Sequence, residues 1–358
     1  MPKAKRIVRI LWCAGILFAV CGLFRHGDTV RMVFRDTLAG CFTNLLPVLF
    51  PYMVISRLIV SLDLFSPLPQ YLRMEERLRV PATAPVVWLL GNFCGYPVGA
   101  AECASLVQKN KLTKEHAGIL CALSSHGNPV YLVQIAGILC WKSASFGWML
   151  LAAQFCFTAV ATAVCIWKLH RTGNKRIERN TTSPVPEPVS CDAVFASAIR
   201  DSSMACVTVC GSIVFFSIVI SLLPPVHLVF SALLAAFLEF TSGVEAGAAL
   251  GGTVGAAITG FALGCGGLSV LTQIVDRLGN TQISIVPTLL MKCAEGIWMA
   301  VAAAVLHHFV PVVRMTMAIG NASQTDILQY IGWAIFTLGI ACRMDSFWKK
   351  AEFYTPHR

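Results

Sequence analysis

Charge is what this sequence has least of. Asp, Glu, Lys and Arg together make up 13% of its 358 residues, against a hydrophobic share of 56% and a mean hydropathy of +0.69. One soluble core could not hide that much apolar surface, so the composition excludes an ordinary soluble domain. Paired cysteine motifs are also missing. The 15 cysteines are scattered singly along apolar runs, with no C-x-x-C and no Cys/His spacing suited to zinc; Cys206 and Cys210 share a helix face but have no further ligands nearby. They read as small, polarizable helix-packing residues rather than a disulfide framework. A dinucleotide fingerprint is lacking, since "GCGGLS" has no third glycine at the required place and follows no strand. Ser125 and His126 are neighbours in sequence, which does not make a nucleophile and its base, and no positioned carboxylate follows them. No cofactor, metal or catalysis is therefore expected.

What is present is a series of apolar runs. Those of about 20 residues, enough to cross roughly 30 Å of hydrocarbon, are Ile7–Phe24, Ala39–Ser61, Phe146–Trp167, Met204–Leu223 and Ile285–Leu306. Shorter or interrupted ones occupy 84–107, 117–139, 226–240, 246–275 and 327–342. The first follows Lys3, Lys5, Arg6 and Arg9 but is followed by no small-x-small cleavage site, and reads as an uncleaved span. The formal net charge of +10 comes from Lys and Arg clustered beside these runs. The positive-inside rule accounts for such clusters, so nucleic acid is not an expected partner, and the lipid bilayer is.

One long hydrophilic stretch, "KLHRTGNKRIERNTTSPVPEPVSCDAVFASAIRD" at 168–201, reads as a cytoplasmic linker between two halves. The halves echo each other. Asp36 and Asp201 each head a long span, and "LLGNFCGYPVGA" is matched by "AITGFALGCGGLSV", setting Gly95 against Gly264. Basic residues flank 84–107 on both sides, at 73–79 and at Lys109, Lys111 and Lys114, so this element is expected to dip into the membrane and return. The second half then starts from the opposite side to the first. The fold class that follows is an all-α polytopic membrane protein, built of two inverted repeats with re-entrant hairpins and broken helices.

Backbone without helical hydrogen bonds is tolerated at membrane depth only beside protein or a water-filled cavity. Paired breaks in corresponding positions of two halves are the sequence sign of a transporter site. The residues expected to bind a solute are accordingly Asn92, Gly95, Tyr96, Pro97 and Gly99 in the first break, and Gly264, Gly266, Gly267, Ser269 and Gln273 in the second. A third break, "SSHGNP", adds Ser125, His126 and Asn128, with His126 read first as pairing with a backbone carbonyl and otherwise as sensing or shuttling protons. Gly247, Gly251, Gly255 and Gly260 recur at close to helical spacing and read as helix-packing positions instead. Charges inside apolar runs are few: Arg57, Glu102, Glu239, Glu245, Lys292 and Glu295. Glu239 and Thr241 in "EFTSG" join the candidate site. Lys292 either neutralises Glu295, three residues on, or supplies countercharge to the solute.

Taken in order, "LPVLFPYMVISRLI", "GYPVGA", "SSHGNP", "EFTSG" and "GCGGLSVLTQ" resemble the sporulation integral membrane proteins of the YlbJ, or SpoVV, type, which carry two nucleoside-recognition Gate domains. The resemblance runs over roughly residues 30 to 310. It implies a carrier moving dipicolinic acid, a small anionic solute, out of the mother cell across the outer forespore membrane of a sporulating bacterium. It is also similar, more distantly, to concentrative nucleoside carriers. The implied domains are an N-terminal transmembrane helix at 1–28, Gate-like repeats at 29–168 and 201–345, the linker at 169–200 and a polar tail at 346–358. A nucleoside or other small solute, a non-transporting scaffold and a homo-oligomer stay open.

Overall fold

The computed structural model describes residues 17, 20–62, 83–171, 191–223 and 227–309. Most of the expected first span Ile7–Phe24, the basic segment 73–79, the middle of the linker, the apolar run 327–342 and the polar tail lie outside the described residues.

Every regular element among the described residues is helical. Helix α1, Gly27–Gly40, passes through a wide π turn at Cys41–Leu45 into α2, Leu46–Ser61. The Thr43 hydroxyl donates to the Ala39 carbonyl at 2.8 Å, and Pro51 sits inside α2 without an amide to give. Helix α3, Thr83–Cys94, and α4, Tyr96–Gln108, are joined by Gly95 alone. Helix α5, Lys114–Leu123, opens on Thr113, whose hydroxyl accepts from the His116 amide at 3.3 Å, and ends where "SSHGN" leaves the helical path. The chain then resumes as a π-helix, Tyr131–Cys140, and continues as α6, Ala144–Arg171.

The second half has α7, Cys191–Ser221, then α8, Leu228–Leu238, α9, Phe240–Leu250, α10, Gly252–Cys265, α11, Gly267–Leu278, and α12, Val286–His307. Helix α7 takes in residues 191–200, so the linker is shorter than expected. "CDAVFASAIRD" has few helix breakers, and its polar content alone made it look like a connection.

Five helical stretches among the described residues are long and apolar enough to cross a membrane: Gly27–Ile59, Ala144–Lys168, Ala193–Ser221, Gly252–Thr281 and Val286–His307. Large apolar side chains such as Trp148, Phe215, Val254 and Ile297 are exposed on them, as a lipid-facing surface requires. The stretch Gly252–Thr281 differs, being 72% buried where Ala144–Lys168 is 28% buried. The interrupted helix is thus at the centre, and the continuous ones surround it.

Three helix pairs fold back on themselves, α9 and α10 doing so at Gly251 and Gly252, where φ is 66° and 58° and Gly255 comes against Gly247. At Gly95 the backbone takes a positive φ of 93°, open to glycine without strain. Gly91 and Gly99, on opposite arms, both press against the Ser124 carbonyl. Residues eight apart on a straight helix would be about 12 Å from one another. The second turn-back is at Glu239. Gly243 of α9 lies against the Cα of Ala236 of α8, where a continuous helix would separate them by about 10 Å. This corrects the expectation of a second hairpin around Gly264 to Ser269. At Gly266 α10 and α11 diverge instead of doubling back. Glycine-rich text drew the eye to Gly264, but a hairpin tip needs only a cap and small flanks, and Glu239 with Ala236 and Gly243 supplies both.

Glycine also sets the central packing. Gly260 and Gly264 of α10 lie against the carbonyls of Met299 and Glu295 of α12, and Gly255 against that of Gly247. A Cβ at any of these would collide with backbone, so the packing reading holds for Gly247, Gly255 and Gly260 and extends to Gly264, whereas Gly251 meets nothing within 4 Å and makes a turn with φ of 66°.

Candidate functional site

The breaks of the two halves meet in the middle of the protein. Tyr96, the first residue of α4, donates its hydroxyl to the Leu263 carbonyl at 2.7 Å, in the last turn of α10. That carbonyl is free because the chain leaves the helix at Gly266 and Gly267, with φ of 74° and 70°. The neighbouring Gly264 carbonyl accepts from Lys292 Nζ at 3.2 Å. Lys292 also stands 4.8 Å from the centre of the Tyr96 ring, a cation–π contact.

Lys292 and Glu295 pair on α12, Nζ to Oε2, at 2.5 Å. The second carboxylate oxygen faces His126 Nδ1 at 2.9 Å, while His126 Nε2 faces the Leu123 carbonyl at 3.2 Å. His126 therefore does meet a backbone carbonyl, and Glu295 is the partner that spacing could not reveal. Lys292 is 1% exposed and His126 and Glu295 are 0% exposed, so the ionic cluster has no contact with solvent.

Asn128 Oδ1 accepts from the amides of Val130 at 2.8 Å and Tyr131 at 3.4 Å, and so starts the helix after the break. Its Cβ is the nearest neighbour of Gly95. Asn92 donates to the carbonyls of Trp88 at 2.8 Å and Leu123 at 3.2 Å, leaving Oδ1 buried without a partner. Ser125 Oγ lies 3.7 Å from Cys121 Sγ. Glu239 Oε2 accepts from the Thr241 hydroxyl and, at 2.7 Å, from the Ser242 amide, so the carboxylate caps α9; Oε1 is buried without a partner. Gly267 lies against the Glu239 amide and the Ala236 carbonyl, joining the second hairpin tip to the second break. Ser269 is buried in the first turn of α11 with its hydroxyl unpartnered, Gln273 lies half-buried one turn on, and Pro97 is in the first turn of α4.

Gln154 was not anticipated. It is fully buried on α6, donates to the Gly127 carbonyl at 2.9 Å, and keeps Oε1 free beside the same glycine that Tyr96 Oη approaches. A lone glutamine in the apolar run Phe146–Trp167 was the available signal.

Helix starts divide into two kinds. Those of α9 and of the helix after Asn128 are closed by the protein's own side chains. Those of α4, at Gly95, and of α11, at Gly266, have no side-chain cap, and neither do those of α1, α8, α10 and α12. Helices α4 and α11 pack side by side and run parallel. Tyr96 reaches Leu263 at one end, and Lys114 Nζ donates to Gln282 Oε1 at 2.6 Å beyond the other. Two uncapped N-termini, each with about half a positive charge, thus lie on the same side of the protein, that of α4 carrying the Tyr96 ring that meets Lys292.

No protein-family model matches the chain, and no solved structure matches it. Among known proteins, the sporulation integral membrane protein YlbJ of Bacillus subtilis (strain 168) is 23% identical over 341 residues, spanning 84% of this chain and 83% of the relative. That similarity bears out the resemblance carried by the ordered motifs. Together with the five apolar helices of membrane length, it makes this chain an integral membrane protein related to one that acts in sporulation.

Proposed function

We propose that the protein is an alternating-access carrier of a small organic anion, with dipicolinate as the first candidate. The observation that carries this reading is the side-by-side, parallel packing of α4 and α11, both with uncapped N-termini, with Tyr96 of α4 against Lys292 and Ser269 Oγ buried and unpartnered in the first turn of α11. Helix N-termini with free amides favour carboxylates. A planar aromatic dicarboxylate would offer one carboxylate to each and its ring to Tyr96. The breaks at Ser124–Asn128 and Gly266 act as hinges, and the two halves, read as inverted repeats, rock against each other to open the centre to one side and then the other. The resemblance to YlbJ-type proteins supplies the substrate and the outer forespore membrane.

A second reading has a specific observation behind it. Asn92 Oδ1 and Gln154 Oε1 are buried, uncharged and unpartnered acceptors, which suit the N–H and O–H groups of a nucleoside.

Counterflow in proteoliposomes tests both. Purified protein preloaded with dipicolinate is expected to accumulate labelled dipicolinate, with uridine failing to compete. Substitution of Gly95, Asn128 or Ser269 is expected to reduce the flux. Flux unchanged in all three variants would put the site elsewhere, competition by uridine would favour the nucleoside, and no flux for either solute would leave a non-transporting role.

A further inference from the structure

His126 turns both ring nitrogens toward oxygen. Nε2 faces the Leu123 carbonyl at 3.2 Å, and a carbonyl can only accept, so Nε2 carries a hydrogen. Nδ1 faces Glu295 Oε1 at 2.9 Å. A neutral imidazole has a single N–H. A second proton must then lie between Nδ1 and Oε1, whether it belongs to an imidazolium or to a carboxylic acid. On its other side Glu295 accepts from Lys292 at 2.5 Å.

Charge accounting follows from that proton. With it, Lys292, His126 and Glu295 together carry one net positive charge. Without it, the lysine and the glutamate cancel. All three side chains are buried, and an unbalanced charge away from water is expensive. An anion entering this centre is therefore matched only when the proton is present.

The other ionisable groups facing the cluster do not replace it. Tyr96 on α4 is committed to Leu263, Cys121 on α5 and Cys265 on α10 face the Lys292 side, and Cys293 points outward from α12. From α6 comes the neutral Gln154. Glu239 lies beyond Tyr96, with its carboxylate on the start of α9.

We propose that the His126–Glu295 pair is the coupling site of the carrier, so that each solute anion enters the centre together with one proton. The proposal rests on the anion-carrier reading above. The proton comes from water on the loading side, sits between Nδ1 and Oε1 while Lys292 engages the solute carboxylate, and returns to water with the solute on the other side.

The test is calorimetric titration of the full-length protein in detergent with dipicolinate, in two buffers of different ionisation heat over a pH series. Wild type is expected to take up protons on binding, rising toward about one per anion as the pH passes the point where the free pair loses its proton. Above that point affinity falls about tenfold per pH unit. Glu295→Gln leaves Lys292 permanently unbalanced, so it is expected to bind dipicolinate with no proton uptake and an affinity independent of pH. Wild-type binding without proton uptake at any pH, or unchanged uptake in Glu295→Gln, overturns the coupling proposal alone. The wild-type titration decides this even if the variant does not fold. Absence of dipicolinate binding by folded wild type overturns the anion-carrier reading and the coupling with it.

Discussion

Tyr96 and Leu263, 167 residues apart, are joined by a 2.7 Å hydrogen bond from the phenol of one to the carbonyl of the other. One stands at the start of the helix after the first break and the other at the end of the helix before the second. The bond holds the two broken regions together and closes a carbonyl that the kink at Gly266 leaves open.

Tyr96→Phe removes the hydroxyl and orphans that buried carbonyl. A loss of about 1–3 kcal/mol is expected, seen as a lower midpoint of thermal unfolding in detergent, with the ring stacking under Lys292 retained. An unchanged midpoint would mean that the kink is held by other contacts.

Four alanine substitutions separate packing glycines from a permissive one. Gly91→Ala and Gly99→Ala would each drive a Cβ into the Ser124 carbonyl, and Gly260→Ala one into the Met299 carbonyl. Each is expected to cost at least about 2 kcal/mol, because backbone on a packed helix yields little. Gly40→Ala meets nothing within 4 Å and should be neutral or stabilising by up to about 1 kcal/mol. Monodispersity on size-exclusion chromatography and thermal midpoints read both effects.

Much of this was legible in the sequence, and the part that was not has a physical cause. Apolar run length located the spans, and Gly95, "SSHGNP" and Gly266 announced breaks because their residues cannot continue a helix. Partners could not be read, since Glu295 meets His126 across 169 residues and only packing of α12 against the first half brings them together. The place of the second hairpin was misread for a related reason. Glycine similarity tied Gly95 to Gly264, yet the Gly264 position is spent on the Glu295 carbonyl, and the turn-back is made by Glu239.

Glu239 serves as the cap of α9, and substitution by residues of different acceptor capacity should grade its effect. Glu239→Gln retains an amide oxygen for the Ser242 amide and is expected to stay folded. Glu239→Ala removes the cap and should cost about 1–2 kcal/mol, measured by thermal unfolding. Equal stability of the two variants would argue that the second hairpin does not need the cap.

Lys292→Met leaves Glu295 with His126 as its remaining partner. Breaking a buried pair costs about 3–5 kcal/mol when a charge is stranded, and the imidazole should hold the loss near the lower end. Dipicolinate binding is expected to fall by a hundredfold or more in calorimetry. Retained affinity would show that Lys292 does not meet the solute.

The most direct measurement is a solved structure of the protein saturated with dipicolinate. Density is expected between the first turns of α4 and α11, with carboxylate oxygens within hydrogen-bonding reach of Lys292 Nζ and Ser269 Oγ. Dipicolinate bound only at the periphery, with Tyr96, Lys292 and Leu263 still closed on one another, would contradict a solute site at the meeting of the breaks.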